Sequence, residues 1–268
     1  MKPIFIDVDG TLRNNQKEIT AITKKALCLA TQKGYEPIIC TGRPCDYALN
    51  LCEQLHSKYL ICNSGALVYD CQVKRAIYEN SMDKNSIIEL YHLLKDNNVK
   101  LILEYNKTSR RYSLGNLAQY EFLKLENLQD ILNKYSVQQV VVDGFDFESM
   151  RTLREKINQI PNIKTSNQSK CLVDPSMPHT SSTFYYDIVS TETSKGNGIR
   201  QFCKFMHISP TNCIAIGDDE NDISMFETCG YSVAMGNALP NVKSIADYVT
   251  LDNEHDGVAH FIQEKLLR

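Results

Sequence analysis

Ile4-Phe5-Ile6-Asp7-Val8-Asp9-Gly10-Thr11 joins a short apolar run to two closely spaced carboxylates. The run predicts a buried strand, and the residues after it predict the loop where that strand emerges. An aspartate in such a loop can act as a nucleophile beside a cation and a phosphoryl group, because attack then forms an aspartyl phosphate. The second carboxylate can serve as a general acid and base if its surroundings keep it partly protonated. Gly10 allows close approach of the backbone to a ligand, and Thr11 offers a hydroxyl and an N–H.

The same loop fits two other interpretations less well. Asp and Gly are common in turns, so an Asp-x-Asp-Gly pattern alone is more often a turn than a site. A calcium-binding loop would use Asp7, Asp9 and Glu18 as its first, third and twelfth positions. Thr11 stands where such a loop has Asp or Asn, and Leu12 stands where its sharp turn needs Gly. The case for catalysis therefore depends on other parts of the chain.

The composition is that of a soluble globular protein. Of the 268 residues, 43% are hydrophobic and 23% are charged, which is ordinary for a chain with a core. The net charge of -3 and the pI of about 6.1 disfavour binding to nucleic acid. No segment has the length of a membrane span, and the apolar run at the N-terminus is too short for a secretory signal. We therefore expect a cytoplasmic protein with no membrane partner, whose ten cysteines are reduced and largely buried.

Strands and helices alternate in the first and last thirds of the chain. Apolar strands followed by amphipathic helices predict an α/β fold with a Rossmann-like parallel sheet and right-handed crossovers. The predicted strands are 4–7, 36–41, 59–63, 213–216, 231–235 and 248–250. The predicted helices are 19–33, with Thr20 near its cap, 44–58, 198–207, 222–228, 240–246 and 257–267.

The middle of the chain has a different character. Alternating segments mixed with helices predict an α+β domain inserted into the α/β domain. We expect residues 1–81 and 189–268 to form the core and residues 82–188 to form an inserted cap. The predicted cap strands are 100–105, 137–143 and 182–189, the predicted helices are 84–97, 117–133 and 147–160, and turns with short strands are expected in 162–183.

Two further loops carry residues that are suited to binding phosphate. Thr41-Gly42-Arg43 follows a predicted strand, where a threonine hydroxyl and a glycine N–H can donate to phosphate oxygens. Lys195-Gly196 opens a predicted helix, and a lysine at this positive end is unfavourable unless an anion binds there. Each pattern alone also fits a plain turn or a surface lysine. Ligands bind at the carboxyl edge of open parallel sheets, however, where these loops are expected.

The most acidic loop is Gly217-Asp218-Asp219-Glu220-Asn221-Asp222, which directly follows the apolar strand predicted at 213–216. So many like charges repel one another unless a cation neutralises them or they face water. A calcium loop is again disfavoured, because Ile223 stands where Gly is required. Oxygen ligands without His or Cys favour a hard cation, and phosphate chemistry favours Mg²⁺ over Zn²⁺.

These four motifs, in this order, resemble those of the haloacid dehalogenase (HAD) superfamily, and most closely its Cof-type phosphatases with a large inserted cap of type C2B. The resemblance covers essentially the whole chain. Two further stretches, Asn63-Ser64-Gly65-Ala66 and Val233-Ala234-Met235-Gly236-Asn237-Ala238, resemble family signatures that are less directly tied to chemistry. Two positions depart from the family pattern: Ser64 stands where Asn is usual, and Arg13 where a small or polar residue is more typical.

The resemblance implies a role for each residue of the motifs. Asp7 would be the nucleophile and a metal ligand, Asp9 the acid and base with its carbonyl on Mg²⁺, and Asp218 the third protein ligand. The residues that would contact the phosphate are Val8, Thr11, Thr41, Gly42, Lys195 and Asn221. The residues in supporting roles would be Arg43, Asp219 and Asp222.

These roles predict Mg²⁺-dependent hydrolysis of small phosphorylated metabolites, such as sugar phosphates, through an aspartyl phosphate. The cap would close over the site about hinges near 79–83 and 188–194 and would contact the leaving group. The cap residues that could face the ligand, or belong to a plain cap core or surface, are Tyr105, Arg110, Arg111, Tyr112 and Tyr185. Two alternatives remain open: a phosphotransferase or phosphomutase of the same fold, and a non-catalytic sensor of phosphorylated metabolites. The sequence leaves the substrate and the oligomeric state undetermined.

Overall fold

A computed structural model describes residues 1–97, 99–114, 120–145, 147–166, 170–172 and 183–268 of the chain. They form two compact units, Met1–Glu79 with Ser194–Arg268, and Asn80–Thr193. Each unit has its own sheet and its own cluster of buried hydrophobic side chains. The boundaries between the units lie within a few residues of those expected from the sequence.

The strands and helices are numbered here in chain order. The strands are β1 Lys2–Ile6, β2 Tyr35–Cys40, β3 Tyr59–Cys62, β4 Leu67–Asp70, β5 Arg75–Glu79, β6 Val99–Tyr105, β7 Thr108–Leu114, β8 Glu121–Phe122, β9 Val137–Phe145, β10 Ile163–Thr165, β11 Lys170–Leu172, β12 Thr183–Ser190, β13 Ile214–Gly217, β14 Tyr231–Ala234 and β15 Tyr248–Val249. The α-helices are α1 Ala21–Gln32, α2 Cys45–Leu55, α3 Lys84–Leu94, α4 Leu125–Lys134, α5 Phe147–Ile157, α6 Lys195–Met206, α7 Ile223–Phe226, α8 Pro240–Ile245 and α9 Gly257–Phe261.

The larger unit contains an eight-stranded sheet in the order β15-β14-β13-β1-β2-β3-β4-β5. The strands from β15 to β3 are parallel, and β4 and β5 extend the sheet as an antiparallel pair. Ile4, Phe5 and Ile6 of β1 are at most 1% exposed, as expected for an apolar parallel strand that is buried on both faces. The predicted α/β architecture is therefore confirmed, whereas the antiparallel pair was not predicted.

The starts of two helices in this unit, α1 and α6, are set by side chains that accept backbone N–H groups. Thr20 accepts the N–H of Thr23 at 3.0 Å and caps α1, as the sequence predicted. The helix predicted at 198–207 begins one turn earlier: Ser194 accepts the N–H of Asn197 at 3.1 Å, so α6 begins at Lys195, which agrees with the expected position of Lys195-Gly196 at the helix start. Lys195 thereby becomes the first residue of a helix.

The smaller unit is an α+β structure, as expected. Its sheet has the order β10-β12-β9-β6-β7-β8, and β11 also pairs with β12. The strands β6, β7, β9 and β12 pair antiparallel. Side chains from α3, α4 and α5, such as Leu90, Leu128 and Ile157, belong to the same buried cluster as Leu103 of β6.

The helix predicted at 117–133 was wrong in its first part. Residues 120–124 are not helical: β8 lies at Glu121–Phe122, and α4 begins at Leu125. The N–H of Leu123 donates to the carbonyl of Ser113 at 3.0 Å, so pairing with β7 outweighs the helical spacing of the apolar residues. Residues 115–119, 167–169 and 173–182, which the predictions also covered, lie outside the described residues.

Other boundaries in the smaller unit also differ from prediction. Helix α3 ends at Leu94 and α5 at Ile157, each about three residues early. The strand β7 was not predicted, whereas β10 and β11 lie in the segment 162–183, where short strands were expected. None of the helices in the described part of the chain is long and apolar enough to cross a membrane.

Candidate active site

The candidate site lies at the carboxyl edge of β1, β2 and β13, which are neighbours in the parallel sheet. Ile6, at the end of β1, is in register with residues near the ends of both neighbouring strands. The three loops that follow carry Asp7, Thr41 and Asp218. Motifs separated by more than a hundred residues in the chain therefore converge on one edge of the sheet.

Lys195 lies between two carboxylates. Its Nζ donates to Asp7 Oδ1 at 2.5 Å and to Asp222 Oδ1 at 2.6 Å. All three side chains are buried, and Lys195 is only 1% exposed. Burial alone would lower the pKa of Lys195, but the charges of Asp222 and Asp7 outweigh it and hold this pKa well above its ordinary value. Lys195 is therefore a fixed cation in contact with Asp7.

Asp222 organises the acidic loop from within. Its Oδ2 accepts the backbone N–H of Asp218 at 2.9 Å and that of Asp219 at 3.1 Å. A Cβ added at Gly217 would lie 2.5 Å from the Asp222 carboxylate, so only glycine fits there. With Lys195 on Oδ1, both carboxylate oxygens of Asp222 accept hydrogen bonds. This side chain fixes the loop and the lysine together.

Asp218 packs against the first motif. Thr11 donates its hydroxyl to Asp218 Oδ1 at 2.9 Å. Gly10 has a φ of +84°, and a Cβ there would lie 2.2 Å from Asp218 Oδ2. Asn237 Nδ2 donates to the Gly10 carbonyl at 2.8 Å, which gives a structural role to the signature at 233–238. The glycine is required by both its backbone conformation and this close approach.

A group of three carboxylates in the described residues could hold a metal ion. Asp7, Asp218 and Asp222 each offer one oxygen within 4.8 Å of the others. Burial raises the pKa of Asp7 to about 7, although the charge of Lys195 opposes this shift. Burial, followed by the charge of Asp7, raises the pKa of Asp218 to about 8. Oxygen ligands that destabilise one another in this way are suited to a hard divalent cation.

The side chain of Asp9 lies outside this carboxylate group. Its two oxygens accept hydrogen bonds from Arg43, from Nε at 2.7 Å and from Nη2 at 2.8 Å. The Arg43 guanidinium also lies over the ring of Tyr47, 4.5 Å from its centroid. A bidentate pair fixes the direction of a carboxylate as well as its distance. Arg43 is thus placed to orient Asp9, whose predicted metal ligand is its backbone carbonyl and not its side chain.

The remaining predicted phosphate ligands belong to the first, second and fourth motifs. Thr41 is 1% exposed and its hydroxyl accepts the N–H of Arg43 at 3.1 Å. The carbonyl of Val8 accepts the N–H groups of Thr11 and Arg13, which closes the first loop. Asn221 has a buried Oδ1 that accepts no hydrogen bond. The phosphate role of Gly42, like that of Val8, Thr41 and Asn221, stays a prediction.

Asp219 has a local role in the acidic loop. Its side chain accepts the N–H of Glu220 at 2.8 Å at the start of a single helical turn. It is therefore a cap for this turn and no member of the carboxylate group described above.

The segment Asn63–Gly65 braces two of the motifs, a role that the sequence did not reveal. The N–H of Ser64 donates to the carbonyl of Thr41 at 3.2 Å, and the N–H of Asn63 donates to that of Arg43 at 3.0 Å. A Cβ at Gly65 would lie 2.1 Å from the carbonyl oxygen of Ser194. All three residues have positive φ. Besides the resemblance of 63–66 to a family signature, the sequence signal was the Ser-Gly pair, which indicates a turn and not its contacts.

Four of the five predicted cap residues line one cavity in the smaller unit. The cavity has a volume of about 380 Å³. The four residues are Tyr105, Arg110, Arg111 and Tyr112. The hydroxyls of the two tyrosines lie 3.0 Å apart. Tyr185 lies on β12, paired with Asp143 of β9, and does not line this cavity.

Comparisons with known proteins give matches over nearly the whole chain. A family model described as haloacid dehalogenase-like hydrolase matches residues 4–262. YxeH of Bacillus subtilis, whose name describes it as a phosphatase by inference, is 31% identical over 273 residues, which cover 99% of this chain and 98% of YxeH. YwtE of the same organism, named 5-amino-6-(5-phospho-D-ribitylamino)uracil phosphatase, is 26% identical and covers 99% of this chain and 98% of its own. A solved haloacid dehalogenase-like hydrolase from B. subtilis superposes with a TM-score of 0.78 at 25% identity, over 99% of this chain and 100% of the other.

Proposed function

Because the chain belongs to the haloacid dehalogenase-like hydrolases and is a phosphatase of that family, we propose that it hydrolyses phosphomonoesters with Mg²⁺ through an aspartyl phosphate on Asp7. The observation that supports this proposal is the buried contact of Asp7 with Lys195, beside Asp218, at the end of a central parallel strand. A carboxylate next to a fixed ammonium and an acidic group suited to a divalent cation has what attack on a phosphoryl group requires.

The proposed metal ligands are Asp7, Asp218 and the backbone carbonyl of Asp9. The ligand set consists of oxygen atoms, and burial raises the pKa values of both carboxylates, which fits Mg²⁺. Bound there, Mg²⁺ would neutralise negative charge on the phosphoryl oxygens. Asp222 supports these ligands indirectly, because it holds the N–H of Asp218 and the ammonium of Lys195.

In the first step, a carboxylate oxygen of Asp7 attacks phosphorus, and the bond from phosphorus to the leaving oxygen breaks. Lys195 contacts Oδ1 of Asp7, so it orients the carboxylate and leaves Oδ2 for the attack. Asp9 would donate a proton to the leaving oxygen after one of its oxygens has exchanged its hydrogen bond from Arg43 for that proton. In the second step, Asp9 takes a proton from water, the water oxygen attacks phosphorus, and release of inorganic phosphate restores Asp7.

Residues of the four motifs are the proposed phosphate ligands. The backbone N–H groups of Val8 and Gly42 and the hydroxyl of Thr41 are the proposed donors from the first two motifs. For Thr11 the phosphate contact stays a prediction, because its hydroxyl donates to Asp218 and its N–H donates to the carbonyl of Val8. Asn221 is the proposed donor from the acidic loop, and it would donate to a phosphate oxygen through its amide Nδ2.

The two compact units would have different functions. We assign catalysis to Met1–Glu79 with Ser194–Arg268, and a cap function to Asn80–Thr193. Small phosphorylated metabolites, such as sugar phosphates, are the proposed substrates. The name of YwtE, which describes a phosphorylated ribityl compound as its substrate, supports this class. The cytoplasmic location expected from the sequence stays a prediction.

Two other functions are compatible with the same fold. A phosphotransferase or phosphomutase would form the same aspartyl phosphate and pass it to a sugar hydroxyl. A sensor would bind phosphorylated metabolites without cleaving them. Release of inorganic phosphate in the absence of any acceptor would favour hydrolysis over transfer, and Mg²⁺-dependent cleavage of p-nitrophenyl phosphate would exclude the sensor.

The decisive experiment compares the wild type with Asp7→Asn. The variant should release phosphate at least about a thousandfold more slowly, since the nucleophile is removed, and radiolabelled substrate should give an acid-stable phosphoprotein only with the wild type. Asp130→Asn, on the exposed side of α4, is the matched control and should have wild-type activity. Circular dichroism checks that all three proteins are folded. Full activity of Asp7→Asn would refute the proposal.

A further inference from the structure

Two arginines contact the ring of Tyr47, in the first turn of α2. The Arg43 guanidinium lies 4.5 Å and that of Arg13 lies 5.8 Å from the ring centroid. Arg13 Nη1 also donates to the Tyr47 hydroxyl. Two like charges at one aromatic ring repel each other, so their environment must compensate at least one of them.

The charge of Arg43 is compensated within this cluster. Its guanidinium forms the bidentate pair with Asp9, the carboxylate to which the proposed function assigns the proton on the leaving oxygen. The side chains of Arg43 and Asp9 are each 38% exposed. The cluster therefore lies where a substrate in solution can reach it.

The charge of Arg13 has no such compensation among the described residues. Its side chain contacts the carbonyl oxygen of Lys17 at 2.5 Å, the Tyr47 hydroxyl and the Tyr47 ring, and all of these are neutral. Glu254, which belongs to the same loop network, accepts the N–H of Asn15 at 2.6 Å and forms no ion pair with Arg13. Arg13 thus keeps a full positive charge with unused donors.

The backbone fixes this charge relative to the proposed catalytic groups. The N–H of Arg13 donates to the carbonyl of Val8 at 3.0 Å, and Arg13 forms an isolated bridge with Asp9. Its guanidinium is held at the other end by Tyr47. A chain of contacts therefore runs from Asp9 through Arg43 and Tyr47 to Arg13, from the group that would meet the leaving oxygen to an uncompensated cation.

We propose that Arg13 determines specificity for phosphomonoesters whose leaving group carries a second negative charge, such as a carboxylate, and that Tyr47 positions its guanidinium. The inference rests on the proposed function, because the leaving group must lie beside Asp9. An anion on the leaving group supplies the charge that the cluster lacks, and a guanidinium can bind a carboxylate through two parallel hydrogen bonds. A leaving group with only hydroxyls would leave Arg13 uncompensated.

The test uses pairs of substrates that differ only in a carboxylate and a hydroxymethyl group. Suitable pairs are phosphoglycerate with glycerol phosphate, and phosphogluconate with glucitol phosphate, each phosphorylated on the same terminal carbon. The quantity measured is the ratio of kcat/KM for the anionic member to kcat/KM for the neutral member. For the wild type we expect a ratio of at least about ten in one or both pairs, the effect of a hydrogen bond to a charged group.

Three variants identify the residue that sets this ratio. Arg13→Gln keeps a hydrogen-bond donor but removes the charge, so the ratio should fall towards one. Arg13→Lys keeps the charge and should retain part of the preference, and it also serves if Arg13→Gln folds poorly. Lys17→Gln is the matched control: it removes an exposed charge from the same loop without altering the carbonyl that Arg13 contacts. It should keep the wild-type ratio.

Each outcome separates this inference from the proposed function. If the wild type hydrolyses the neutral members and shows no preference in either pair, only the inference fails. It also fails if Arg13→Gln lowers both members equally, or if Lys17→Gln changes the ratio as much as Arg13→Gln does. If the wild type releases phosphate from no member of the pairs and not from p-nitrophenyl phosphate, the proposed hydrolysis fails, and the inference fails with it.

Discussion

Asp222 and Asp218 belong to the same acidic loop, but their charges have opposite effects on the fold. Asp222 accepts hydrogen bonds from Lys195 Nζ and from two backbone N–H groups, so its charge is well compensated. Asp218 has the hydroxyl of Thr11 as a donor and lies close to Asp7 and Asp222. The first carboxylate therefore stabilises the folded protein, whereas the second is stabilised only when a cation is bound.

Asp222→Asn should destabilise the protein strongly. The asparagine side chain has only one oxygen, which can accept hydrogen bonds either from Lys195 or from the two backbone N–H groups. Its NH2 group then faces the remaining donors, with which it cannot form a hydrogen bond. We expect the free energy of unfolding in urea to fall by about 3 kcal/mol, as for a broken buried ion pair, with loss of turnover. A change below about 1 kcal/mol would contradict the bracing role.

Asp218→Asn should leave the metal-free protein stable but weaken its stabilisation by Mg²⁺. It removes a buried charge whose pKa burial raises to about 8, so the metal-free variant should be at least as stable as the wild type near pH 8. It should, however, lose most of the stabilisation that Mg²⁺ confers on the wild type. Urea unfolding with chelator and with excess Mg²⁺ measures both effects. Equal stabilisation of the two proteins by Mg²⁺ would show that Asp218 is no ligand.

The metal-free protein should lose stability as the pH rises from about 4 to about 8. The pKa values of Asp7 and Asp218 in the folded protein are about 7 and about 8, against an ordinary value of 3.8. In this window the folded state binds more protons than the unfolded state, so the contribution of both groups to stability falls with rising pH. Mg²⁺ binds the charged carboxylates, so its stabilising effect should grow over the same range. Melting temperatures with chelator and with Mg²⁺ across this range measure the difference, and a gap independent of pH would refute the prediction.

At the scale of elements, the turn Asn63–Gly65 connects the second motif to the start of α6. Its three successive residues with positive φ are strained except at the glycine, and such strain persists only where surrounding contacts demand it. These contacts are the hydrogen bonds to Thr41 and Arg43 and the packing of Gly65 on Ser194. The turn therefore holds the Thr41 loop and Lys195 in register.

Gly65→Ala tests this role, with Gly34→Ala as the matched control. Both glycines have positive φ, +98° and +87°, but a Cβ at Gly34 meets nothing within 4 Å, whereas at Gly65 it would lie 2.1 Å from the Ser194 carbonyl oxygen. Gly34→Ala should cost about 1 kcal/mol of stability from backbone strain alone. Gly65→Ala should cost clearly more and should also lower kcat, because Ser194 and Lys195 must move. Equal effects of both variants on stability and kcat would contradict the packing argument.

The elements also show where local patterns were sufficient and where they failed. The cap of α1 was predicted because Thr20 acts within its own turn. The predicted range 198–207 left out the first turn of α6 because Ser194, Lys195 and Gly196 carry no apolar periodicity, and the helix there is fixed by a cap and by Gly196 packing on Ser224. Only the first part of the helix predicted at 117–133 was wrong, because residues 121–123 pair with β7, a contact that spacing along the chain does not encode.

On the scale of the whole molecule, the two compact units have separate hydrophobic cores. Leu103 is fully buried in the smaller unit and Ile4 in the larger. Leu103→Ala should destabilise its unit by about 2 to 5 kcal/mol and raise hydrogen exchange across Asn80–Thr193, with much less effect elsewhere. Ile4→Ala should show the converse. If either variant raises exchange equally in both units, they unfold as one cooperative structure.

The family predicted from the four motifs is confirmed by the match over residues 4–262 and by the relatives that cover almost the whole chain. The α/β architecture was also predictable, because apolar strands alternate with amphipathic helices in both outer thirds. The antiparallel β4–β5 pair was not predicted, because β5 is partly exposed and carries no continuous apolar run.

The sequence alone determined the family and the residues that come together at the sheet edge, because strand ends and helix starts are set by local patterns and a parallel sheet brings them to one side. Only the tertiary structure decided what those residues contact. Asp222 fixes Lys195 and the acidic loop, and Arg43 holds the carboxylate of Asp9. Arg13 and Arg43 both contact the ring of Tyr47. These contacts join residues that are far apart in the chain or face each other across loops, and their geometry depends on packing that no local pattern specifies.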